Sequence, residues 1–365
     1  MPSPRVEVLL LNWNGARDTL ECLESVFALE YPNFGVIVCD NASTDCSVEQ
    51  LEAWARGELP APQRFKGPGS EARQRRSRPI SYATYDRCTA EAGGRPGEPP
   101  DLVIIRTGAN LGFAGGNNVG LRYLQARGDV EFAWLLNNDT VTAPSALSHL
   151  VERAESDRQI AVVGGTLLDF ERADVVQYFA GANLSSWRGT IRLIGHGLPA
   201  RAPRPQPARL DYVSGGCILV RLETLEKAGL MDERFFMYSE DADWCLRMRA
   251  LGYGIAFAPQ AEIWHKGGAS SVPGSPTHDY HNMVGSLLVM YKHFPSRAPV
   301  ALAYAVYRFL LPKLVRGRWK RAVAIMRAFR DAARIADQPD RPAASARASS
   351  PVRDQDAAFS TGGAP

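Results

Sequence analysis

The chain has 365 residues, of which 45% are apolar, 9% aromatic and 22% charged. That composition excludes a collagen, a coiled-coil rod and a wholly disordered chain. Lys and Arg exceed Asp and Glu by only three, so global charge gives no reason to expect a nucleic-acid binder. None of the six cysteines forms a C-x-x-C pair, which argues against a zinc or disulfide framework and for a reducing compartment.

In chain order, Val6–Leu11, Val36–Cys39, Leu102–Ile105, Phe132–Leu136 and Ile160–Val163 read as buried strands: short, aliphatic and bounded by turn residues. Helical patterns lie between them, at Thr19–Leu29 and Ala143–Ala154 among others. This alternation predicts a largely parallel sheet covered on both faces, with ligands beyond the carboxyl ends of the strands. No signal peptide is expected before Val6, and no stretch reaches the length of uncharged apolar residues that a membrane span needs.

Residues 56–100 are rich in Pro, Gly and Arg and too long for an ordinary connection. They read as a partly mobile, solvated insertion, with Ile80–Tyr85 a short edge strand and anion contact by its basic cluster the lesser option. Pro199–Pro207 reads as a surface loop, and Asp337–Pro365 as a disordered tail. Val306–Arg334 carries nine basic residues and one acid, interleaved with apolar side chains. That pattern suits either an anionic membrane surface or a helix pair packed on the main domain.

Four polar clusters fall at or near strand ends. Asn12-Trp13-Asn14-Gly15 ends the first strand. Asp40 ends the second; a carboxylate there can accept a ribose hydroxyl or a pyrimidine N–H, whereas Asp45 fits a turn and helix cap better. Asn110-Leu111-Gly112-Phe113-Ala114-Gly115-Gly116-Asn117-Asn118 is glycine-rich but matches neither G-x-G-x-x-G nor a P-loop. Its glycines would let backbone approach a phosphate or base. In Asn137-Asn138-Asp139, the single carboxylate suits a hard divalent cation shared with a diphosphate, and a helix cap is the structural alternative. Further on, Ser214-Gly215-Gly216 is a glycine turn. Glu240, Asp241 and Asp243 crowd the first turn of a predicted helix, where the dipole favours an ionised base. His265 follows a strand and stands beside Lys266 and two glycines.

Taken in this order, the clusters resemble family 2 of the inverting nucleotide-sugar glycosyltransferases, and within it the rhamnosyltransferase and galactofuranosyltransferase branch. The resemblance covers roughly residues 5–270. It implies an α/β GT-A fold, with a glycosyltransferase domain at 1–280, a C-terminal helical region at 281–336 and a tail at 337–365. It implies a dTDP- or UDP-sugar donor, a lipid-linked or glycan acceptor, and action on the cytoplasmic side of a membrane in cell-wall or surface-glycan synthesis. By the same resemblance, Asn12 and Asp40 hold the nucleoside, Asn110, Gly112 and Asn117 line its pocket, and Asn138, Gly216 and Glu240 contact substrate. Asp139 and His265 bind Mg²⁺ or Mn²⁺, and Asp241 is the catalytic base. Asn137 departs from the family's metal motif and removes one negative ligand. A nucleotidyltransferase and a non-catalytic sugar-nucleotide binder are the alternatives. The first lacks the glycine-rich, basic stretch expected after its first strand.

Overall fold

The computed structural model describes residues 3–68, 77–204, 209–267 and 274–338. The first half runs β1 (Val6–Asn12), α1 (Ala16–Val26), β2 (Phe34–Asp40), α2 (Ser47–Arg56), β3 (Tyr82–Asp86), α3 (Arg87–Glu91), β4 (Leu102–Arg106), α4 (Gly112–Arg127) and β5 (Phe132–Asn137). It continues through β6 (Thr140–Thr142), α5 (Ala146–Glu155), β7 (Ile160–Asp169), β8 (Val176–Phe179), β9 (Gly181–Ser185), β10 (Thr190–Leu193), β11 (Tyr212–Val213) and β12 (Cys217–Arg221). Next come α6 (Leu225–Ala228), α7 (Glu240–Ala250) and β13 (Gly254–His265). The C-terminal region is helical: α8 (Pro276–His293), α9 (Ala298–Ala305), a π-helical turn at Val306–Leu310, α10 (Leu311–Val315) and α11 (Trp319–Ala336).

The main sheet has the order β3-β4-β2-β1-β5-β12-β7-β13-β6, with β8 paired to β7. Its strands from β3 to β5 are all parallel. Alternate residues of these strands feed cores on opposite faces: Leu9, Ile37 and Leu135 on one, Val8, Val36 and Trp134 on the other. Each such side chain contributes about 1.5–3 kcal/mol by leaving water. The register sets Asn12 beside Asp40 and Leu11 beside Asn137, so the polar carboxyl ends align along one edge.

Strand β12 runs antiparallel between β5 and β7 and pairs Cys217 with Leu136. Because β12 starts where β5 ends, the Ser214–Gly216 turn faces Asn137. This reversal places the second half of the chain over the first half's ligand edge.

The predicted edge strand at 80–85 is β3, parallel to β4. Much of the described part of the 56–100 segment is exposed, but a few of its side chains are packed. Phe65 is buried against Phe170 and Trp264, and Arg78 lies over the Trp54 ring at 4.4 Å while pairing with Glu24. The rest of the basic cluster, most of the tail and part of the loop at Pro199–Pro207 lie outside the described residues.

The boundary expected at residue 280 falls inside α8, which starts with Pro276 at its first turn and Ser275 Oγ accepting from the His278 N–H at 3.1 Å. Helix α11 packs on α8 through Ala322, Ile325, Ala328 and Ala332. The helical run Pro295–Val315 spans 21 residues at mean hydropathy 1.3, long and apolar enough to cross a membrane by length and composition. Scattered basic residues mask it in a search for uncharged runs.

Candidate active site

The sheet edge begins with a polar lattice. The Asn12 side chain is fully buried; its Nδ2 donates to Asp40 Oδ1 at 2.8 Å and Ser43 Oγ at 3.1 Å, and its Oδ1 accepts from Thr19 Oγ1 at 2.8 Å. Asn138 Nδ2 donates to Thr19 Oγ1 at 2.8 Å. Asp40 Oδ2 accepts the Ser43 N–H at 3.1 Å. Asn12 therefore orients Asp40 and Asn138; its own polar atoms are engaged inside the protein. Asp45 caps the start of α2, accepting the Ser47 N–H at 3.1 Å, as the sequence suggested.

The glycine-rich stretch works differently from the sequence expectation. Gly112, at φ +72°, lies so close to the Phe236 carbonyl that a Cβ would sit 2.2 Å from it, and the Phe113 N–H donates to that same oxygen at 2.7 Å. Gly116 and Gly120, one turn apart on α4, seat the helix on Leu11 and Leu9 of β1. These glycines bring helix to sheet and loop to loop. Asn117 Nδ2 donates to the Phe113 carbonyl within its own helix at 2.9 Å. Asn110 Oδ1 accepts from Asn41 Nδ2 at 2.9 Å and from the Gly112 N–H at 3.0 Å. Asn41 is the latch between β2 and this loop.

At the other end of the edge, Asp139 Oδ1 lies 3.2 Å from His265 Nε2, and Asp139 Oδ2 accepts the Gly267 N–H at 3.2 Å. Asn137 Nδ2 is 3.1 Å from the same ring nitrogen. Burial alone would raise the Asp139 pKa, but His265 and Lys266 more than offset it, so the carboxyl stays below its usual range. Asp139 occupies the β5–β6 turn and caps no helix. Lys266 turns away: its Nζ donates to Asp18 Oδ1 at 2.6 Å and Glu21 Oε2 at 2.8 Å, so it helps clamp α1 rather than the site.

Two residues that sequence reasoning missed lie on β8. Gln177 Oε1 is 2.9 Å from His265 Nδ1, while its Nε2 donates to the His265 carbonyl at 2.6 Å. The second bond fixes which end of the amide is oxygen, so Nδ1 carries a proton toward Gln177. In the neutral ring, the Nε2 lone pair then faces Asn137 and Asp139. The Tyr178 hydroxyl accepts from Ser214 Oγ at 3.0 Å. Burial raises its pKa first, with Asp241 and Asp139 both adding, so it is close enough to sense both carboxylates. No local sequence signal marks either residue, because their partners lie far away in the chain.

Asp241 opens α7. Its Oδ2 accepts the Gly215 N–H at 2.8 Å and its Oδ1 the Ala242 N–H at 2.7 Å. The preceding Tyr238 and Ser239 both have φ +70°, a left-handed pair that non-glycine residues rarely adopt. Burial pushes the Asp241 carboxyl up to about 6. Glu240 is raised well above its usual value by burial and then by Asp241, and its Oε2 is buried without a hydrogen-bond partner. Asp243 is instead held low despite burial, through His293, Arg247 and Lys292, and ties α7 to α8. The three acids of this turn thus differ: burial raises the pKa of Glu240 and Asp241, whereas the paired Asp243 is held low.

The two carboxylate centres are connected through the glycine turn. Gly215 donates to Asp241, and the next residue, Gly216, accepts the Asn137 N–H at 3.3 Å. A Cβ on Gly216 would press on Tyr178 Oη at 2.9 Å. Asp139, His265, Asn137, Gly216 and Asp241 therefore form one continuous wall.

Residues 90–275 match the family described as "Glycosyltransferase like family 2", and residues 8–67 match "Glycosyl transferase family 2". The chain belongs to glycosyltransferase family 2. This glycosyltransferase is 26% identical over 219 residues to an N-acetylglucosaminyl-diphospho-decaprenol L-rhamnosyltransferase of Mycobacterium tuberculosis, covering 52% of this chain and 67% of the relative. It is 28% identical over 168 residues to the low-salt glycan biosynthesis hexosyltransferase Agl10 of Haloferax volcanii, covering 45% and 52%. Among solved structures, GalNAc-T7 with UDP, GalNAc and Mn²⁺ matches with a TM-score of 0.53 at 14% identity, over 79% of this chain and 48% of that one. That likeness supports the GT-A fold. The glycosyltransferase is a sugar-transferring enzyme, as the resemblance implied.

Proposed function

We propose that this glycosyltransferase moves a rhamnose- or other hexose-type sugar from a dTDP- or UDP-sugar to a lipid-linked or glycan acceptor, with inversion at the anomeric carbon. The observation that carries this reading is the wall joining the Asp139–His265 pair to Asp241 through Gly215 and Gly216. A donor diphosphate against the first pair presents its sugar toward the second.

The residues at Asp139 fit a divalent cation. Among the described residues no cluster of three or more His, Cys, Asp or Glu is present, so the protein offers an oxygen and a nitrogen ligand and leaves the remaining positions to diphosphate and water. Bound there, Mg²⁺ or Mn²⁺ would act as a Lewis acid on the departing diphosphate. Asn137 donates to His265 instead of adding a carboxylate, which keeps the site's charge low.

Asp241 takes the proton of the acceptor hydroxyl. Its carboxylate is held by two backbone N–H groups, so the lone pair that receives the proton is fixed in direction. Burial and the adjoining Asp241 favour the protonated form of Glu240, which limits negative charge at the reacting face. Attack occurs opposite the diphosphate, and a single displacement needs only this one base. Asp40, oriented by Asn12, is placed at the same strand edge to hold the nucleoside, and Asn110 and Asn138 border it.

The acceptor assignment rests on the rhamnosyltransferase relative and on the C-terminal helices, where Tyr307, Val315 and Trp319 are exposed among basic residues. That surface suits the anionic inner face of a membrane. The test is a thermal-shift screen of nucleotide sugars with Mn²⁺, followed by product analysis and NMR of the new anomeric centre. A preferred donor raises the melting temperature by linkage. Retention of configuration, or no donor raising it, rejects the reading.

A further inference from the structure

A cavity of about 310 Å³ lies between the β9–β10 hairpin and the C-terminal helices, outside the site described above. Its floor is apolar, formed by Met283, Leu287 and Met290 of α8 with Phe309 and Ile325. Its polar lining holds two cations, Arg188 and Lys313, with one carboxylate, Asp279, and His278. Asp279 accepts two bonds from Arg321 at 2.6 and 3.0 Å and lies 3.8 Å from Lys313. Arg321 and Lys313 thus face this one carboxylate, and Arg188 adds a further positive charge to the cavity lining. His278 Nδ1 is buried there without a hydrogen-bond partner.

We propose that this cavity seats the hydrocarbon stem of a lipid-diphosphate acceptor, with the diphosphate on the cationic rim. The inference rests on the glycosyltransfer reading above and locates its acceptor. Three observations carry it. The first is the pairing of apolar floor with excess positive charge, which matches an anionic head on a single chain and not a sugar alone. Its size, at the low end for ligand pockets, suits a short length of chain rather than a whole lipid.

The second is its place beside the base. The ring of His278 meets Tyr238 edge-on with centroids 5.4 Å apart, and Gly285 of the same helix rests on the Tyr238 carbonyl. Tyr238 and Ser239 lead directly into Glu240 and Asp241. Helix residues turn about 100° per step, so His278 and Gly285 share one side of α8, and Asp279, Ser286 and Met290 point to the neighbouring side that lines the cavity. His278 borders both. A head group at this rim lies next to the turn that carries Asp241.

The third is the continuation of apolar surface outward. Ile191 lines the cavity and is itself about half exposed, as is Trp187 on the same hairpin, with Arg297 over the Trp187 ring at 4.8 Å. A chain leaving the cavity passes along apolar side chains toward the exposed face of the C-terminal helices.

The experiment uses the full chain and farnesyl diphosphate in detergent, with binding read by calorimetry without nucleotide sugar. Ser286→Phe fills the cavity, and Lys313→Gln removes a rim charge. Farnesyl diphosphate is expected to bind wild type and to lose about tenfold or more in affinity with Ser286→Phe, the equivalent of a few buried methylenes. Lys313→Gln should give a smaller loss. The donor-induced thermal shift should remain, which separates this test from failure of the glycosyltransfer reading.

Folded Ser286→Phe with wild-type affinity overturns the proposal. So does competition by UDP or dTDP at equal concentration, which would put the ligand at the donor site, or by phosphatidylglycerol vesicles, which would make the cavity a general lipid contact. If Ser286→Phe does not fold, a benzophenone-bearing farnesyl diphosphate replaces it. Labelling within 276–293 or 186–193 supports the site, and labelling confined elsewhere overturns it.

Discussion

Gln177 grips His265 at both ends, with Oε1 on the ring Nδ1 at 2.9 Å and Nε2 on the backbone carbonyl at 2.6 Å. The side chain thereby selects the ring nitrogen that faces Asp139.

Replacing Gln177 by Leu removes that selection without touching the carboxylate. Mn²⁺ affinity should drop by about 10–100-fold, as for loss of an outer partner of a metal-binding histidine. Gln177→Glu, which keeps an acceptor for Nδ1–H, should recover part of it. Electron paramagnetic resonance of free Mn²⁺ reads this directly, without turnover. Unchanged affinity in the Leu variant would remove Gln177 from the site.

Asp241→Asn should lower turnover by several orders of magnitude while leaving the donor-induced thermal shift in place. In the wild type, burial holds this carboxyl at about 6, so the acid limb of kcat/KM should fall about tenfold per pH unit below that value. A flat profile from pH 5 to 8 would exclude Asp241 as the base.

Glu240 gives a stability prediction of opposite character. Its folded pKa is raised, by burial first and Asp241 second, so the folded state binds a proton that the unfolded state releases. Stability from this group is complete below its unfolded value near 4.5 and is lost as pH rises through the higher folded value. Glu240→Gln keeps the shape and removes the titration. Its melting temperature should therefore gain on that of wild type between pH 5 and 9, measured by differential scanning calorimetry. A constant gap across that range would show that Glu240 does not titrate in the fold.

The glycines of α4 should rank by what they touch. Gly112→Ala forces a left-handed residue, at about 1–2 kcal/mol, and drives a Cβ into the Phe236 carbonyl. Gly116→Ala keeps an ordinary backbone conformation and meets side-chain atoms, the tip of Leu11, which can rotate, and Asn41 Oδ1 at 3.3 Å. Urea unfolding should find Gly112→Ala the more destabilised; the reverse order would contradict the seating of α4 on β1 and the Phe236 loop.

Much of the first half is legible in the sequence because its logic is local. Each parallel strand is a short aliphatic run, and its polar terminus follows at once, so residue order alone places Asn12, Asp40 and Asp139 at one edge. Asp241 is legible through the acid crowding of one helix turn. What is not legible depends on pairing across the sheet. Nothing near Gln177 or Tyr178 shows that β8 hydrogen-bonds to β7 and meets His265 and Ser214. The glycines after Asn110 suggest phosphate contact, because glycine marks close approach without saying what approaches; in the fold it is Leu9, Leu11 and the Phe236 carbonyl. Lys266 looks like a site residue by adjacency, yet the end of β13 sends it to Asp18 and Glu21.

Gly285 leaves no slack between α8 and the bend at Tyr238: a single added methyl group would sit 2.2 Å from that carbonyl. The long C-terminal helix is consequently packed directly on the turn that opens α7. A shift of α8 at this contact would therefore move the backbone that leads directly into Asp241.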